Sequence, residues 1–436
     1  MSAIEFSLLF FGCMFLFLGL GVPISIALGG LSGILVYIFW GPGAISMLVL
    51  KSFGMTSSFE FIAVPLFVFM ANMLERSGIA EDLYETMNRF VGGSAGGLAA
   101  GTVIICTIFA AMAGISGAAT VSMGILALPA MMARGYSTRL ALGSVAAGGS
   151  LGILIPPSVT MIIYGVVAQT SIGKLYAGGV LPGLLLSALF ITYILVRAHF
   201  QPHIAPPRPV TERYSWPEKL SSLKGLVFPI ALVIGVLGSI LTGLTSVSEA
   251  AAIGAFGSLI AAAMKRRVTW RVLQQTAEKT LFVSCLIFWI VIGASAFATL
   301  YTAMGAASLI RDAVIGLEVS RYVILVVIML MLIVMGMVID TVGIIMIAVP
   351  VFVPIVTSLG FDPTWFGVLF IINMEIGFLT PPFGYNLFYL KGVAPKGVKL
   401  TDIYRSITPF VLLMILGLGI CIAVPEIILY LPGLLF

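Results

Sequence analysis

The stretch Gly148-Gly149-Ser150-Leu151-Gly152-Ile153-Leu154-Ile155-Pro156-Pro157-Ser158 is an apolar helix that has to stop midway, and Asn373-Met374-Glu375-Ile376-Gly377-Phe378-Leu379-Thr380-Pro381-Pro382-Phe383-Gly384 is its counterpart 225 residues later. A Pro-Pro pair lacks two successive backbone N–H donors and pushes the residue before it away from helical geometry. The helix therefore unwinds there and restarts with proline in its first turn. A restarted helix turns unpaired N–H groups toward an anion, and unwound carbonyls accept a cation.

Working outward, the match continues at the same offset. Pro129 pairs with Pro354, Gly135 with Gly360, Tyr136 with Phe361, Gly152 with Gly377 and Tyr164 with Tyr389, without a gap over 36 positions. The chain thus holds two copies of one unit. Each copy is headed by an apolar stretch, 101–133 or 322–358, long enough to enter a membrane and return. Small or polar residues break each at its middle, Ala113–Thr120 in one and Gly336–Gly343 in the other. That is the pattern of a re-entrant helical hairpin.

Composition agrees. Of 436 residues 60% are hydrophobic and 9% charged, against about 45–50% and about 25% in soluble proteins, which excludes a water-soluble globular enzyme. The apolar runs are continuous, as in Phe6–Leu20 and Val323–Ile339, which excludes the alternation of a β-barrel. At about 20 residues per span there is room for roughly a dozen membrane segments. Candidate spans are 4–22, 24–40, 54–74, 139–168, 177–198, 226–242, 247–264, 281–303, 364–390 and 408–431. No cleavable signal peptide is expected, since Met1–Glu5 carries no positive residue. The net charge of +5 comes from basic loops and calls for no nucleic-acid partner.

Those loops set the orientation. The linker 199–225 carries Arg208, Arg213, Lys219 and Lys224, and 265–280 carries Lys265, Arg266, Arg267, Arg271 and Lys279, so both belong in the cytoplasm. Following the chain from these points, the first hairpin enters from inside and the second from outside. The expected fold is an all-α polytopic membrane protein, an inverted-repeat, elevator-type transporter with two re-entrant hairpins and two interrupted helices. Its division is 1–53, N-terminal scaffold helices; 54–198, the first repeat with an interfacial arm, hairpin 101–133 and interrupted helix 139–168; 199–225, the cytoplasmic linker; 226–280, scaffold helices and a basic loop; 281–407, the second, inverted repeat with hairpin 322–358 and interrupted helix 364–390; and 408–436, a C-terminal helix. Residues 75–92 read as an amphipathic interfacial helix, with Leu83, Met87 and Phe90 on its apolar side.

Oxygen ligands for a monovalent cation are available as Ser116 and Thr120 at the first tip, Thr341 at the second, and Ser150, Asn373 and Thr380 at the breaks. A single membrane Ser or Thr more often bonds its own backbone, so the set carries more weight than any member. Asp340 and Glu375 stand out because a carboxylate at depth costs several kcal/mol unless paired or ligating. Asp340 reads as an ion-linked carboxylate or, in the plainer reading, as a helix cap. Glu375 is protonated, paired or shallow. Glu249 suits a helix N-terminus.

Other chemistry is sparse. His199 and His203 lie in the polar linker, Cys13, Cys106, Cys285 and Cys421 lie in apolar runs without metal-ligand spacing, and neither HExxH nor a Walker lysine loop occurs. An intramembrane enzyme would have only Asp340 with Glu375 as a catalytic pair, outside any known motif. A carrier that works alone, a symporter or proton antiporter of related architecture, is the rival within transport.

Phe67-Val68-Phe69-Met70-Ala71-Asn72, Ser77-Gly78, Gly114-Ile115-Ser116-Gly117-Ala118-Ala119-Thr120, Pro129-Ala130-Met131, Gly135-Tyr136, Leu154-Ile155-Pro156-Pro157-Ser158, Glu249-Ala250-Ala251-Ala252 and Gly377-Phe378-Leu379-Thr380-Pro381-Pro382-Phe383-Gly384 resemble, in order and over nearly the whole chain, the large membrane (DctM-like) subunit of tripartite ATP-independent periplasmic (TRAP) transporters. The resemblance departs at Glu375, where an apolar residue is expected, and in the spelling of the first tip. It implies a sodium-driven, elevator-type importer of organic acid anions in the bacterial cytoplasmic (inner) membrane. It also implies a small four-helix membrane subunit and a periplasmic solute-binding protein as partners, with sodium as coupling ion and no cofactor. Sodium and substrate sites carry over to Gly114–Thr120, Gly149–Ser158, Gly336–Gly343 and Asn373–Gly384. Within these, the candidate sodium residues are Gly114, Ser116, Gly117, Thr120, Gly149, Gly336, Asp340, Thr341, Asn373, Gly377 and Thr380. The candidate substrate residues are Ser150, Pro156, Pro157, Ser158, Pro381, Pro382 and Gly384.

Overall fold

The computed structural model describes residues 3–91, 93–209, 214–306, 309, 311–312, 316 and 319–436. Gly92 of the expected interfacial helix and Arg213 of the basic linker lie outside them. Among the described residues there are helices and no strand. Helices α1 (Ala3–Gly19), α2 (Ile24–Trp40), α3 (Ile45–Thr56) and α4 (Ala63–Ser77) lead to the short α5 (Ile79–Val91). The first hairpin is α6 (Gly97–Ala113) and α7 (Ser116–Ala133), followed by α8 (Thr138–Ser150), α9 (Val159–Ala168) and α10 (Ile172–Phe200). The connecting region holds α11 (Trp216–Ser222), α12 (Lys224–Val233), α13 (Ser239–Leu241), α14 (Val247–Met264) and α15 (Trp270–Ala303). The second hairpin is α16 (Arg321–Gly336) and α17 (Thr341–Ser358), followed by α18 (Pro363–Leu379), α19 (Tyr385–Val393), α20 (Leu400–Ala423) and α21 (Glu426–Leu435).

Seven of the described helices, or eight counting one bent pair, are long and apolar enough to cross a membrane. Of the roughly dozen membrane segments expected, several are helices too short to cross a membrane by themselves. The 10-residue α9 rises about 15 Å, half of the apolar thickness of a bilayer. The expected span 54–74 is instead two helices bent by 57° around Thr56-Ser57-Ser58, hydroxyl residues that favour a turn over a helix. The expected span 408–431 is split, since Pro425 holds Val424 at φ −128°, ψ 80°. The basic loop expected over 265–280 is shorter, because α15 begins at Trp270, with Thr269 capping the N–H of Val272. Its Arg271, Gln274, Glu278 and Lys279 are polar but good helix formers.

Helices α6 and α7 pack on each other and on α8 as a closed hairpin, and α16 and α17 do so with α18. The two repeats then exchange partners. Helix α7 of the first hairpin packs on α19 of the second interrupted pair, and α17 of the second hairpin packs on α9 of the first. This reciprocity follows from the duplication, since each hairpin finds in the other copy the groove its own copy lacks.

The helix expected over 75–92 is α5, with Ile79, Ala80, Leu83 and Thr86 buried. It is tied to the linker: Thr86 Oγ1 donates to the Ser222 carbonyl at 2.9 Å and Arg208 donates to Asn88 Oδ1 at 2.7 Å. Burial pushes the Tyr84 phenol up to about 12, against the opposing pull of Arg134. The linker itself packs back onto the hairpin base, with the Gly96 N–H on the Ala205 carbonyl and the Ser137 N–H on the Ile204 carbonyl.

Candidate functional site

Both interrupted helices break at a cis Pro-Pro peptide, Pro156-Pro157 and Pro381-Pro382, but the breaks are not alike. The first copy leaves the helix at Ser150 and makes one tight turn over Leu151–Ile153. The second stays helical to Leu379 and unwinds only over 380–384. Gly148-Gly149 weakens the last turn of α8, whereas Asn373-Met374 at the same place does not. Asn373, Glu375 and Gly377 are consequently helical rather than unwound, which corrects the expectation for the upstream half of that segment.

At the first break the tip and the restarted helix satisfy each other. The Val159 N–H donates to the Gly114 carbonyl at 3.3 Å, and Ser158 Oγ accepts from the Met161 N–H at 3.3 Å while donating to the Ile153 carbonyl at 2.6 Å. Tyr176 donates to the Ser158 carbonyl at 3.2 Å. Gly114 sits at φ +65°, and a Cβ there would lie 2.4 Å from the Pro157 carbonyl oxygen, so only glycine allows this closure. Pro156, Pro157 and Ser158 are buried. Two N–H groups of the restarted helix, those of Val159 and Met161, are therefore already taken.

The second break is the open one. Gly384 precedes α19 at φ +39° with no side-chain cap, and the Phe383 N–H reaches the Met337 carbonyl of the second hairpin at 3.2 Å. Pro382 and Phe383 are exposed. Thr380 is turned away, its Oγ1 donating to the Ile376 carbonyl at 2.6 Å. Asp340 caps α17, accepting from the N–H groups of Val342 at 3.0 Å and Gly343 at 3.4 Å; the plainer reading of its position is the observed one. Its carboxylate is within electrostatic range of Tyr385 and Tyr389. A Cβ on Gly117 of the first tip would lie 3.1 Å from the Tyr389 ring. The first tip thus packs on α19 at Tyr389, and the second tip meets the break just before α19 through Met337 and Phe383.

Apart from Gly114 and Gly117, already placed, the candidate cation residues divide into three groups. Ser116 and Thr120 come together with Gly149, whose position a Cβ could share with Thr120 Oγ1 only at 2.0 Å. Both hydroxyls donate to Asn386 Oδ1, at 3.4 Å and 2.6 Å, and Asn386 Nδ2 donates to the Ala146 carbonyl at 2.7 Å. Gly336, Asp340, Thr341, Gly377 and Thr380 belong to the second tip and its break, where Gly336 and Gly377 pack Cα against Cα. Asn373 faces elsewhere, with Nδ2 on Met329 Sδ at 2.5 Å and Oδ1 buried without a partner. Ser150 turns to Glu375 at 3.0 Å. Among the described residues no three His, Cys, Asp or Glu side chains group as a metal site.

Asn386 escaped the sequence reading. Its counterpart in the first repeat is Met161, so the repeat comparison hid it. The signal was an amide inside the apolar run Tyr385–Leu390, two residues past a glycine that ends a break. Tyr385 and Tyr389 were likewise missed as site residues.

Comparison with known proteins adds the following. Residues 11–427 match the family described as "Tripartite ATP-independent periplasmic transporter, DctM component". The chain is 33% identical over 409 residues to the C4-dicarboxylate TRAP transporter large permease protein DctM of Pseudomonas aeruginosa, covering 93% of each. It is 31% identical over 428 residues to the isethionate TRAP transporter permease protein DctMQ of Oleidesulfovibrio alaskensis, covering 97% of this chain and 66% of that one. In fold it is similar to the YdaH transporter of Alcanivorax borkumensis, with a TM-score of 0.66, 15% identity, and 95% and 98% of the two chains covered.

Proposed function

This chain belongs to the DctM component family of the tripartite ATP-independent periplasmic transporters, and we propose that it carries a small carboxylate or sulfonate anion inward with sodium as the coupling ion. As a transporter permease rather than an enzyme, it needs no covalent chemistry. The reading is supported most by the convergence of both hairpin tips on the second break and the start of α19, the first through Ser116 and Thr120 on Asn386 and the second through the Met337 carbonyl on the Phe383 N–H. An organic anion fits there against the uncapped N-terminus at Gly384, with Tyr385 and Tyr389 as hydroxyl donors. The named relatives take a C4-dicarboxylate and isethionate, which between them bear the two anionic groups proposed.

The cation belongs beside the first tip. A hydroxyl that donates its hydrogen to Asn386 keeps its lone pairs for another partner, so Asn386 orients Ser116 and Thr120 as ligands. Sodium there holds the first tip against α19 and so completes the anion site, which makes binding of either ion favour the other. The moving unit comprises both hairpins with α8, α9, α18 and α19, sliding against the remaining helices. A small membrane subunit and a periplasmic binding protein complete the transporter in the inner membrane.

Reconstitution in liposomes tests this. With the two partner proteins supplied, uptake of the binding protein's ligand should require an inward sodium gradient. Equal uptake by this chain alone would favour the self-sufficient carrier, and uptake indifferent to sodium would remove the coupling.

A further inference from the structure

We propose that the cleft between α5, α11, α12 and the end of α14 is a binding site for a zwitterionic phospholipid whose headgroup joins a phosphate to a primary amine. The cleft holds about 330 Å³. It exists because Gly225 lets α12 approach α5 closely: a Cβ there would stand 3.2 Å from Thr86 Oγ1. Its charged wall is formed by Asp82, Glu85, Arg89, Lys224 and Lys265, and its apolar floor includes Phe228.

Three observations point to a lipid. The first is position. Trp216, 70% exposed, opens α11, whose Ser221 and Ser222 line the cleft, and Trp270, 81% exposed, opens α15 shortly after the lining Lys265; tryptophan gathers at the headgroup level of a bilayer. Lys219, Lys224, Lys265, Arg266, Arg267 and Arg271 lie at the α11–α12 and α14–α15 junctions, from which Lys224 and Lys265 line the cleft, as basic residues do on the cytoplasmic face of a membrane protein.

The second is charge pattern. Lys265 pairs with Asp82, and Arg89 with Glu85, whereas Lys224 has no carboxylate partner among the described residues. The lining therefore offers one uncompensated cation next to two carboxylates that are only singly paired. A phosphate satisfies Lys224, and an ammonium on the same headgroup reaches the carboxylates. A purely anionic headgroup would meet Asp82 and Glu85 with like charge.

The third is an exit for acyl chains. From the cleft, Val227 on α12 and Ile260 and Met264 on α14 continue as exposed apolar side chains on neighbouring helices. An amphipathic ligand uses both ends of this feature; a soluble anion uses one. The lipid would pin the amphipathic α5 to the scaffold helices at the membrane surface.

The test is native mass spectrometry of the detergent-purified chain titrated with phosphatidylethanolamine, phosphatidylglycerol, phosphatidylcholine, glycerophosphoethanolamine and inorganic phosphate. Phosphatidylethanolamine should be retained at least tenfold better than the other two lipids. Lys224→Gln should abolish that retention, and Glu85→Gln should shift the preference toward phosphatidylglycerol. Equal retention of the three lipids by the unaltered chain would overturn the proposal, as would full retention by Lys224→Gln. Competition by glycerophosphoethanolamine or inorganic phosphate as effective as by the whole lipid would assign the cleft to a soluble phosphate compound instead. The preference among lipids is read on the unaltered chain, so a variant that misfolds does not spare the proposal.

Discussion

Ser150 donates a hydrogen bond to Glu375 Oε1 at 3.0 Å, and the two residues are equivalent positions of the internal repeat, 225 apart. A contact between equivalent residues has to lie on the pseudo-twofold axis that relates the copies. In an inverted repeat that axis runs in the membrane plane, so the inverted arrangement proposed for the two copies would put both residues at mid-depth where α8 and α18 cross. Glu375 is fully buried there, and its Oε2 has no partner.

That position predicts which replacements are tolerated. Glu375→Gln keeps an acceptor for Ser150 and introduces no charge, so its melting temperature and uptake should stay close to those of the parent chain. Glu375→Lys puts an unpaired ammonium at the crossing, a cost of several kcal/mol, and should abolish folded protein in size-exclusion chromatography. A folded, active Glu375→Lys would show that the crossing is wet and shallow.

Asn386 of the second repeat ties to it the first hairpin, through Thr120 and Ser116, and α8, through the Ala146 carbonyl. Asn386→Ala removes the acceptor of two buried hydroxyls, at a cost of about 1–3 kcal/mol, and frees their hydrogens to turn into the cation site. The half-saturating sodium concentration for uptake should rise tenfold or more. A purely structural role would lower the melting temperature and the maximal rate while leaving that concentration where it was.

How much of this was legible beforehand depended on the kind of signal. Proline and glycine act locally, so the duplication, the two Pro-Pro breaks and the turns at Gly114 and Asp340 could all be read from residue order. Boundaries set by weaker preferences could not. The helical continuation through Glu375 to Leu379 depends on Asn373-Met374 standing where the first copy has Gly148-Gly149, a difference of propensity rather than of pattern. The capping box at Ser246 and Glu249, with Oε2 of Glu249 accepting from the Ser246 N–H at 2.7 Å, matches the expected role of Glu249 because capping is also local. Asn386 lay beyond reach because its partners are 266 and 270 residues away and its own counterpart is a methionine.

Close backbone approach between the second hairpin and α18 gives another expectation. A Cβ on Gly377 would stand 2.7 Å from the Gly336 Cα, and no rotamer change relieves a clash with backbone. Gly377→Ala should force α16 and α18 apart at a cost of about 1–3 kcal/mol, lowering the melting temperature by several degrees and slowing uptake. Gly12→Ala, with open space around it, is the matched control and should change neither.

Asp340 allows the cap and the charge to be separated. Its Oδ2 accepts from Val342 and Gly343 at the start of α17, and asparagine caps a helix about as well as aspartate. Asp340→Asn should therefore leave the melting temperature within a few degrees of the parent, whereas Asp340→Ala should lose about 1 kcal/mol with the cap. If the carboxylate balances the coupling ion at the meeting point of the two tips, Asp340→Asn should also flatten the dependence of uptake on sodium despite its intact fold. The charge beside Tyr385 and Tyr389 disappears in the same variant, so an anion should bind there no more weakly than before, and with sodium absent it should bind more tightly. Unaltered sodium dependence in Asp340→Asn would restrict Asp340 to the cap and leave the coupling to the Ser116, Thr120 and Asn386 cluster.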